Sequence, residues 1–368
     1  MHIKVLTNDL LDRMPAATVA IPNKPSLEIL ASLVLEAGDR GIRAWGTDLD
    51  LAFSFPLDGD VLESGAVAVN ARALAKTLRA IGKGKAVDLS VDGASKLAIG
   101  LPSGATVRMP AHDVADLPII PWPDAATAGE RADGMIAAMC DAAHASADDG
   151  SRPVLQCLQV TAAAGAGLVS AADGFRLARV TFDAGGWTGS CNVSAKLAAL
   201  LAKAKPLAPR VMVTGDESRQ LWISGADGTM AGAFVRDAYT FPDTAKIVPS
   251  ISTSCAFEGA ALVEALKIAR ASGADLTLRC SARPSEQRLD IRAVAKGAVE
   301  VAALDIPAKF EGTAPEPFAI NPAYLADAIE AGHSYRLGHE GGQRPILIER
   351  NGDGPPATFA VMPMHVAK

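Results

Sequence analysis

Gly46-Thr47-Asp48-Leu49-Asp50-Leu51-Ala52 returns in altered form as Ala172-Asp173-Gly174-Phe175-Arg176-Leu177-Ala178. A polar turn running into alternating apolar residues, met twice in one chain, puts internal repetition ahead of every other question. Working outward, Lys24-Pro25-Ser26-Leu27 resembles Arg152-Pro153-Val154-Leu155, 128 residues later. Three helix-like segments keep a similar interval: Leu10 (beside Leu11), Ile136 in Met135–Cys140 and Leu262 in Ala261–Leu266 stand 126 residues apart. A second helical segment recurs as Val69-Asn70-Ala71-Arg72-Ala73-Leu74, Val193-Ser194-Ala195-Lys196-Leu197 and Ile320-Asn321-Pro322-Ala323-Tyr324-Leu325. In each, Asn70, Ser194 or Asn321 is placed to accept from the orphan N–H groups of a helix start.

Strand signals fill the intervals. Hairpins are expected over Leu30–Ala44 around Gly38-Asp39, over Leu155–Ala178 around Gly165-Ala166-Gly167, and over Leu276–Val294 around Pro284-Ser285. Each second half reads as a meander: Val87–Met109, Val211–Val235 and Tyr335–Met362, with turns at Asp92-Gly93, Asp227-Gly228 and Asp353-Gly354. The plan is helix, strands, helix, strands, three times over. A repeat of ~125 residues is too long for a solenoid unit and has the size of a domain. The fold class is α+β, in three domains at 1–123, 124–250 and 251–368. Linkers fall at Pro118–Gly134, rich in Pro, Ala, Gly and Asp, and at Pro249–Ser254.

Composition agrees with that size. The chain has 368 residues, 49% hydrophobic but only 5% aromatic, so Ala, Val and Leu must do most of the packing. No apolar stretch reaches the ~20 residues of a membrane span. Met1–Leu10 contains His2, Lys4 and Asp9 in place of the apolar core of a signal peptide. Cys140, Cys157, Cys191, Cys255 and Cys280 are scattered, with no C-x-x-C, and read as small buried residues of a reducing cytoplasm.

The formal net charge is -6, which on bulk balance argues against a nucleic-acid binder. The charge is nevertheless segregated. Between Val69 and Lys85 lie Arg72, Lys76, Arg79, Lys83 and Lys85 without one acid. Arg72, Lys76, Arg79 and Lys83 follow helical spacing down one stripe, while Leu74, Leu78 and Ile81 take another face. The equivalent helix of the second repeat carries Lys196, Lys203 and Lys205; the third, Pro322–Gly332, carries Asp327 and Glu330. A charged helix face is ordinarily just solvated. Two equivalent basic helices in an acidic chain equally fit a surface that surrounds phosphates without reading bases.

No catalytic constellation emerges: there is no G-x-x-x-x-G-K-[ST], G-x-S-x-G or H-E-x-x-H. His2, His112, His144, His333, His339 and His365 never fall at metal-ligand spacing. Asp48 and Asp50 imitate a metal dyad, but strand alternation near a hairpin accounts for both. Gly82-Lys83-Gly84-Lys85 reads more simply as a helix end than as a phosphate loop. No metal and no cofactor are expected. The apolar tail Phe359–Val366 is either a last strand or, through Met362 and Met364, an adaptable peptide-binding surface.

Taken in order, these residues carry a resemblance. Lys24–Leu30, Gly46–Leu49, Ala172–Ala178, Phe241-Pro242-Asp243 and Val361–Met364 make the chain similar, along its length, to the bacterial β sliding clamp, the processivity subunit of DNA polymerase III. The resemblance implies three clamp domains per chain, helices lining a central pore, antiparallel sheets outside and a head-to-tail ring dimer. It implies a non-catalytic, nucleoid-associated protein of the cytoplasm that encircles double-stranded DNA and tethers a polymerase. Lys24, Arg72, Arg152, Pro153 and Val154 match family positions that touch DNA, and periodicity adds Lys76, Arg79 and Lys196.

The family also has a cleft for a short Gln-Leu-x-Leu-Phe-like motif. The DNA polymerase III alpha subunit, the clamp loader, other polymerases and repair proteins carry it. The matching residues here are Leu155, Ala172, Gly174, Phe175, Arg176, Leu177, Pro242, Lys246, Ile247, Asn321, Tyr324, Val361, Met362, Pro363 and Met364. Arg176 and Lys246 are expected to meet the peptide's polar groups. The chain departs from the family at Ala172, Phe175, Lys246 and His365, where Thr, His, Arg and Arg are common. Ala269-Arg270-Ala271-Ser272-Gly273 is small and polar where the family presents aliphatic residues to the other protomer; Ala105, Val107 and Met109 are its expected counterpart. These departures also fit a divergent or accessory clamp with its own partners in repair or mobile-element replication.

Overall fold

The computed structural model describes residues 1–91, 96–123, 129–150, 152–215, 219–236, 238, 240–271, 276–295, 299–352 and 354–364. The expected Asp92-Gly93 turn, Asp353, Ser272-Gly273 and His365 lie outside the described residues, as do 124–128 of the first linker. The chain forms two compact units, Met1–Cys140 with Ala184–Asp237 and Asp141–Asp183 with Ala238–Lys368.

The first unit holds helices α1 (Thr7–Ala20), α2 (Ala71–Ile81), most of α3 (Asp133–Ala142) and α4 (Lys196–Ala204). Both α2 and α4 pack against α1. Asn70 starts α2 as its spacing predicts, its Oδ1 accepting from the Ala73 N–H at 3.0 Å. Gly82 ends the helix at φ 98°, a conformation open to glycine at no cost. Ser194 does not cap α4. It is the buried last residue of strand Gly189–Ser194, and Ala195 makes the first turn instead.

One antiparallel sheet runs through this unit. From one edge come Glu130–Arg131, Arg210–Thr214, Gln220–Ser224 and Met230–Phe234. Then come Leu51–Leu57, Gly41–Thr47, Ser32–Gly38 and Gly65–Asn70, followed by Thr106–His112, Lys96–Gly100, Ala86–Val91, His2–Leu6 and Gly59–Glu63. The junction between the first two repeats is a strand pair inside this sheet, with Leu51 opposite Ala233 and Ser54 opposite Met230. Trp122 packs 6.1 Å from Trp45 and 5.2 Å from Trp222 in ring-centroid separation. The beginning of the expected linker is therefore held against the body by a large apolar side chain.

The second unit repeats the scheme with α5 (Gly259–Ala271) and α6 (Pro322–Ala328). Its main sheet orders Cys157–Ala163, Ala166–Ala172, Arg176–Asp183, Ala357–Val361, Ile346–Asn351, Ser334–Gly338, Thr253–Glu258 and Lys309–Gly312. A second sheet orders Val299–Pro307, Arg288–Ala295, Thr277–Arg283 and Phe318–Ile320. Asn321 caps α6 through the Ala323 N–H at 2.8 Å. That helix ends sooner than the sequence suggests, because Ile329 turns extended and is buried. Here too the repeat junction is a strand pair, with Arg176 opposite Val361 and Val180 opposite Ala357. Hydrogen bonding thus runs through both junctions, so neither compact unit coincides with a single repeat.

Composition shows in the packing. Where two strands carry an aromatic residue, the partner strand supplies glycine: Gly167 faces Phe182 and Gly232 faces Trp222. A Cβ on either glycine would enter the ring. At these two places a ring is seated over bare backbone.

Candidate nucleic-acid and peptide interfaces

On α2, Ala71, Leu74, Ala75 and Leu78 are buried, which turns Arg72, Lys76 and Arg79 outward. Arg72 donates to the Pro22 carbonyl at 3.4 Å, close in sequence to exposed Lys24. Among the described residues, Lys76 and Arg79 make no ion pair, so their charge is offered to solvent. Lys83, expected to extend the stripe, lies beyond the helix end and pairs with Asp12 at 2.9 Å. On α4 the Lys196 side chain is exposed, its Nζ 3.7 Å from Asp48 Oδ2. Burial raises the Asp48 carboxyl above its ordinary value, against backbone hydrogen bonds and Lys196. Lys24, Arg72, Lys76, Arg79 and Lys196 all belong to the first unit. Arg152, Pro153 and Val154 belong to the second, where Pro153–Gln156 form a single 3-10 turn.

Asp48 and Asp50 do not share a strand face, as alternation suggested; they make a turn. Asp48 Oδ1 accepts from the N–H groups of Asp50 at 3.0 Å and Leu51 at 2.7 Å. Leu49 between them is left-handed at φ 77°. In the second repeat, Asp173 Oδ1 accepts from Phe175 at 2.8 Å and Arg176 at 2.9 Å, with Gly174 at φ 96°. The two loops therefore match with Asp48 at the place of Asp173. This Asx turn is the local device that both sequence stretches encode.

Around the second turn lies a pocket lined by Ala172, Gly174, Phe175, Arg176, Leu177, Ile247, Pro345, Ala360 and Met362. Leu155, Ala172, Leu177, Leu347 and Ala360 form the packed apolar floor. The rim is greasy and open: Phe175 is 62% exposed, Ile247 44% and Met362 36%. Arg176 is held by three contacts: Asp173 at 2.9 Å, Asp327 at 2.6 Å and the Tyr324 ring 4.4 Å from its guanidinium carbon. Arg152 lies over the same turn, donating to the Asp173 carbonyl at 3.1 Å.

Several expected lining residues sit elsewhere, for identifiable reasons. Val361 is buried and faces away, since strand alternation gives the pocket to Ala360 instead. Lys246 stands in solvent at the end of a 3-10 turn, paired with Asp243 at 3.1 Å; neither it nor Pro242 lines the pocket. The Asn321 side chain is used as a helix cap, and Tyr324 acts through Arg176. Pro363 and Met364 border a separate, larger cavity. Pro345 was missed, because nothing in its local sequence places a loop residue beside a strand from another repeat. The described residues hold no cluster of three or more metal-ligating side chains, and none of their helices is long and apolar enough to cross a membrane.

Comparison with known proteins agrees with the resemblance seen in the sequence. Residues 1–121 match the family described as DNA polymerase III beta subunit, N-terminal domain. The whole chain superimposes on the whole of a DNA polymerase sliding clamp from Bacillus subtilis, at 18% identity and a TM-score of 0.82. The same full coverage of both chains holds for the DNA polymerase III beta subunit of Thermotoga maritima, at 20% and 0.81. It holds again for a sliding clamp of Pseudomonas aeruginosa solved bound to griselimycin, at 18% and 0.81. The fold is the sliding-clamp fold.

Proposed function

We propose that this chain, with the sliding-clamp fold throughout and a beta-subunit N-terminal domain match at residues 1–121, is a DNA sliding clamp that tethers a replicative polymerase. One observation carries the reading. Arg72, Lys76 and Arg79 stand exposed on one face of α2 in a chain whose net charge is -6. An acidic body with one basic helix face attracts phosphates there and repels them elsewhere. Lys24 and Lys196 extend that contact within the first unit, and Arg152, Pro153 and Val154 are candidate contacts of the second; phosphate contacts of this kind carry no base sequence. Two copies, each divided at 1–123, 124–250 and 251–368, close head to tail around the duplex in the cytoplasm.

The protein works by holding on, with no chemical step of its own. The pocket at Ala172–Leu177 and Met362 takes the hydrophobic side chains of a Gln-Leu-x-Leu-Phe-like motif from the polymerase alpha subunit, the clamp loader and other DNA enzymes.

Two measurements test this. Light scattering at micromolar concentration should give about twice 37.9 kDa, whereas a strict monomer contradicts the ring. Replacing Arg72, Lys76 and Arg79 together with Glu should weaken DNA binding and lower its salt slope by ~0.9 for each phosphate no longer neutralised. An unchanged slope would mean that α2 does not face the duplex.

A further inference from the structure

Beside the peptide pocket lies a second cavity of about 530 Å³ in the same unit. Met362 lines the first hollow; Pro363 and Met364 line the second. The Met362 N–H donates to the Phe175 carbonyl and the Met364 N–H to the Ala319 carbonyl, each at 2.8 Å. Three residues of chain therefore form the wall between two adjoining hollows.

The second hollow is chemically unlike the first. Arg279 and Arg292 lie directly opposite each other on paired strands, an arrangement that repels. Arg292 is satisfied by Asp290 at 2.9 Å and Glu300 at 3.1 Å, and Asp290 is further held by Arg283 at 2.6 Å. Arg279 has no ion pair among the described residues, and its Nε is buried without a hydrogen-bond partner. His339 lines the same cavity, is 1% exposed and has an equally unpartnered Nδ1. Burial lowers its pKa, which favours the neutral imidazole. A neutral imidazole can offer Nδ1 as an acceptor. The cavity thus presents an unneutralised cation and a buried acceptor, both of which cost stability while unmet.

We propose that this cavity receives a carboxylate of the docked peptide, which pairs with Arg279 while a peptide N–H donates to His339 Nδ1. The inference rests on the reading of the neighbouring pocket as a peptide cleft. A peptide that fills the apolar hollow and crosses Met362–Met364 brings its flanking residues to Arg279. Partners with an acidic residue or chain end beside the hydrophobic motif are therefore selected over neutral ones.

Fluorescence anisotropy on the full chain tests this with labelled Gln-Leu-Ser-Leu-Phe flanked on either side by Gly-Glu-Glu or by Gly-Gln-Gln, all with amidated ends. One further neutral peptide has a free C-terminus and separates a chain-end carboxylate from a side-chain one. A charge-assisted pair should tighten binding by about tenfold for the peptide carrying the right carboxylate. That advantage should vanish in Arg279→Ala, persist in part in Arg279→Lys and shrink with added salt in the unmodified protein. Equal affinities for every flank, or an advantage that survives Arg279→Ala and salt, overturn the inference. If no peptide binds at all, the cleft reading falls and the inference falls with it.

Discussion

The two repeat junctions share one backbone and differ in what hangs from it. At the first, the Phe234 N–H donates to the Asp50 carbonyl at 3.0 Å; at the second, the Met362 N–H donates to the Phe175 carbonyl at 2.8 Å. Strand pairing and Asx turn match, so Asp50 corresponds to Phe175 and Arg236 to Met364. The first junction is closed by charge: Arg236 reaches Asp50 at 2.6 Å and Lys196 approaches Asp48. The second leaves Phe175 and Met362 exposed around an apolar floor and keeps its Arg176 occupied with Asp173, Asp327 and Tyr324. One scaffold makes a strut when the residue two after the turn aspartate is charged and paired. It leaves an open apolar rim when that residue is apolar, as at Phe175.

Exchanging those residues should break the comparison. Phe175→Asp puts the first junction's residue at the second and should cost at least about tenfold in affinity for a Gln-Leu-Ser-Leu-Phe peptide, the order expected for an interface aromatic. Its melting temperature should hold, because the side chain is largely exposed. Unchanged affinity would mean that the rim does not bind. Arg236→Ala should act the other way, costing about 1 kcal/mol in chemical denaturation for a half-screened pair, with peptide affinity intact. Adding Asp50→Asn should cost little more, since both changes remove the same ion pair; fully additive losses would show that the strut is not this pair.

A smaller difference is in pH. Burial lowers His144, with Arg176 adding to the effect, and burial likewise lowers His339; both lie in the second unit. A histidine whose folded value is depressed binds fewer protons folded than unfolded. Its contribution is complete above the ordinary value of about 6.5 and is lost as pH falls below it. Stability should therefore decline between about pH 7 and pH 5, with the decline shallower in His144→Gln. An identical slope in that variant would remove His144 from the account.

Periodicity made much of this legible in advance. Leu74 and Leu78 against Arg72, Lys76 and Arg79 gave the α2 faces, and Asn70 and Asn321 are the caps their spacing implies. Similarity between the two turn segments pointed to equivalent loops. What stayed hidden was set by pairing between distant segments. Ala360 replaces Val361 in the pocket because register to Arg176 fixes which face looks out. Pro345 and Trp122 owe their places to neighbours far away in sequence. Bulk charge was the poorest guide, since averaging over the chain erased a helix with three exposed cations.

Hydrogen exchange of the full chain with and without the Gln-Leu-Ser-Leu-Phe peptide tests the contrast between the junctions most directly. The account predicts added protection at Ala172–Leu177 and Met362–Met364 and none at Asp48–Leu51 or Phe234–Arg236. Protection at the first junction, or at neither, would contradict it.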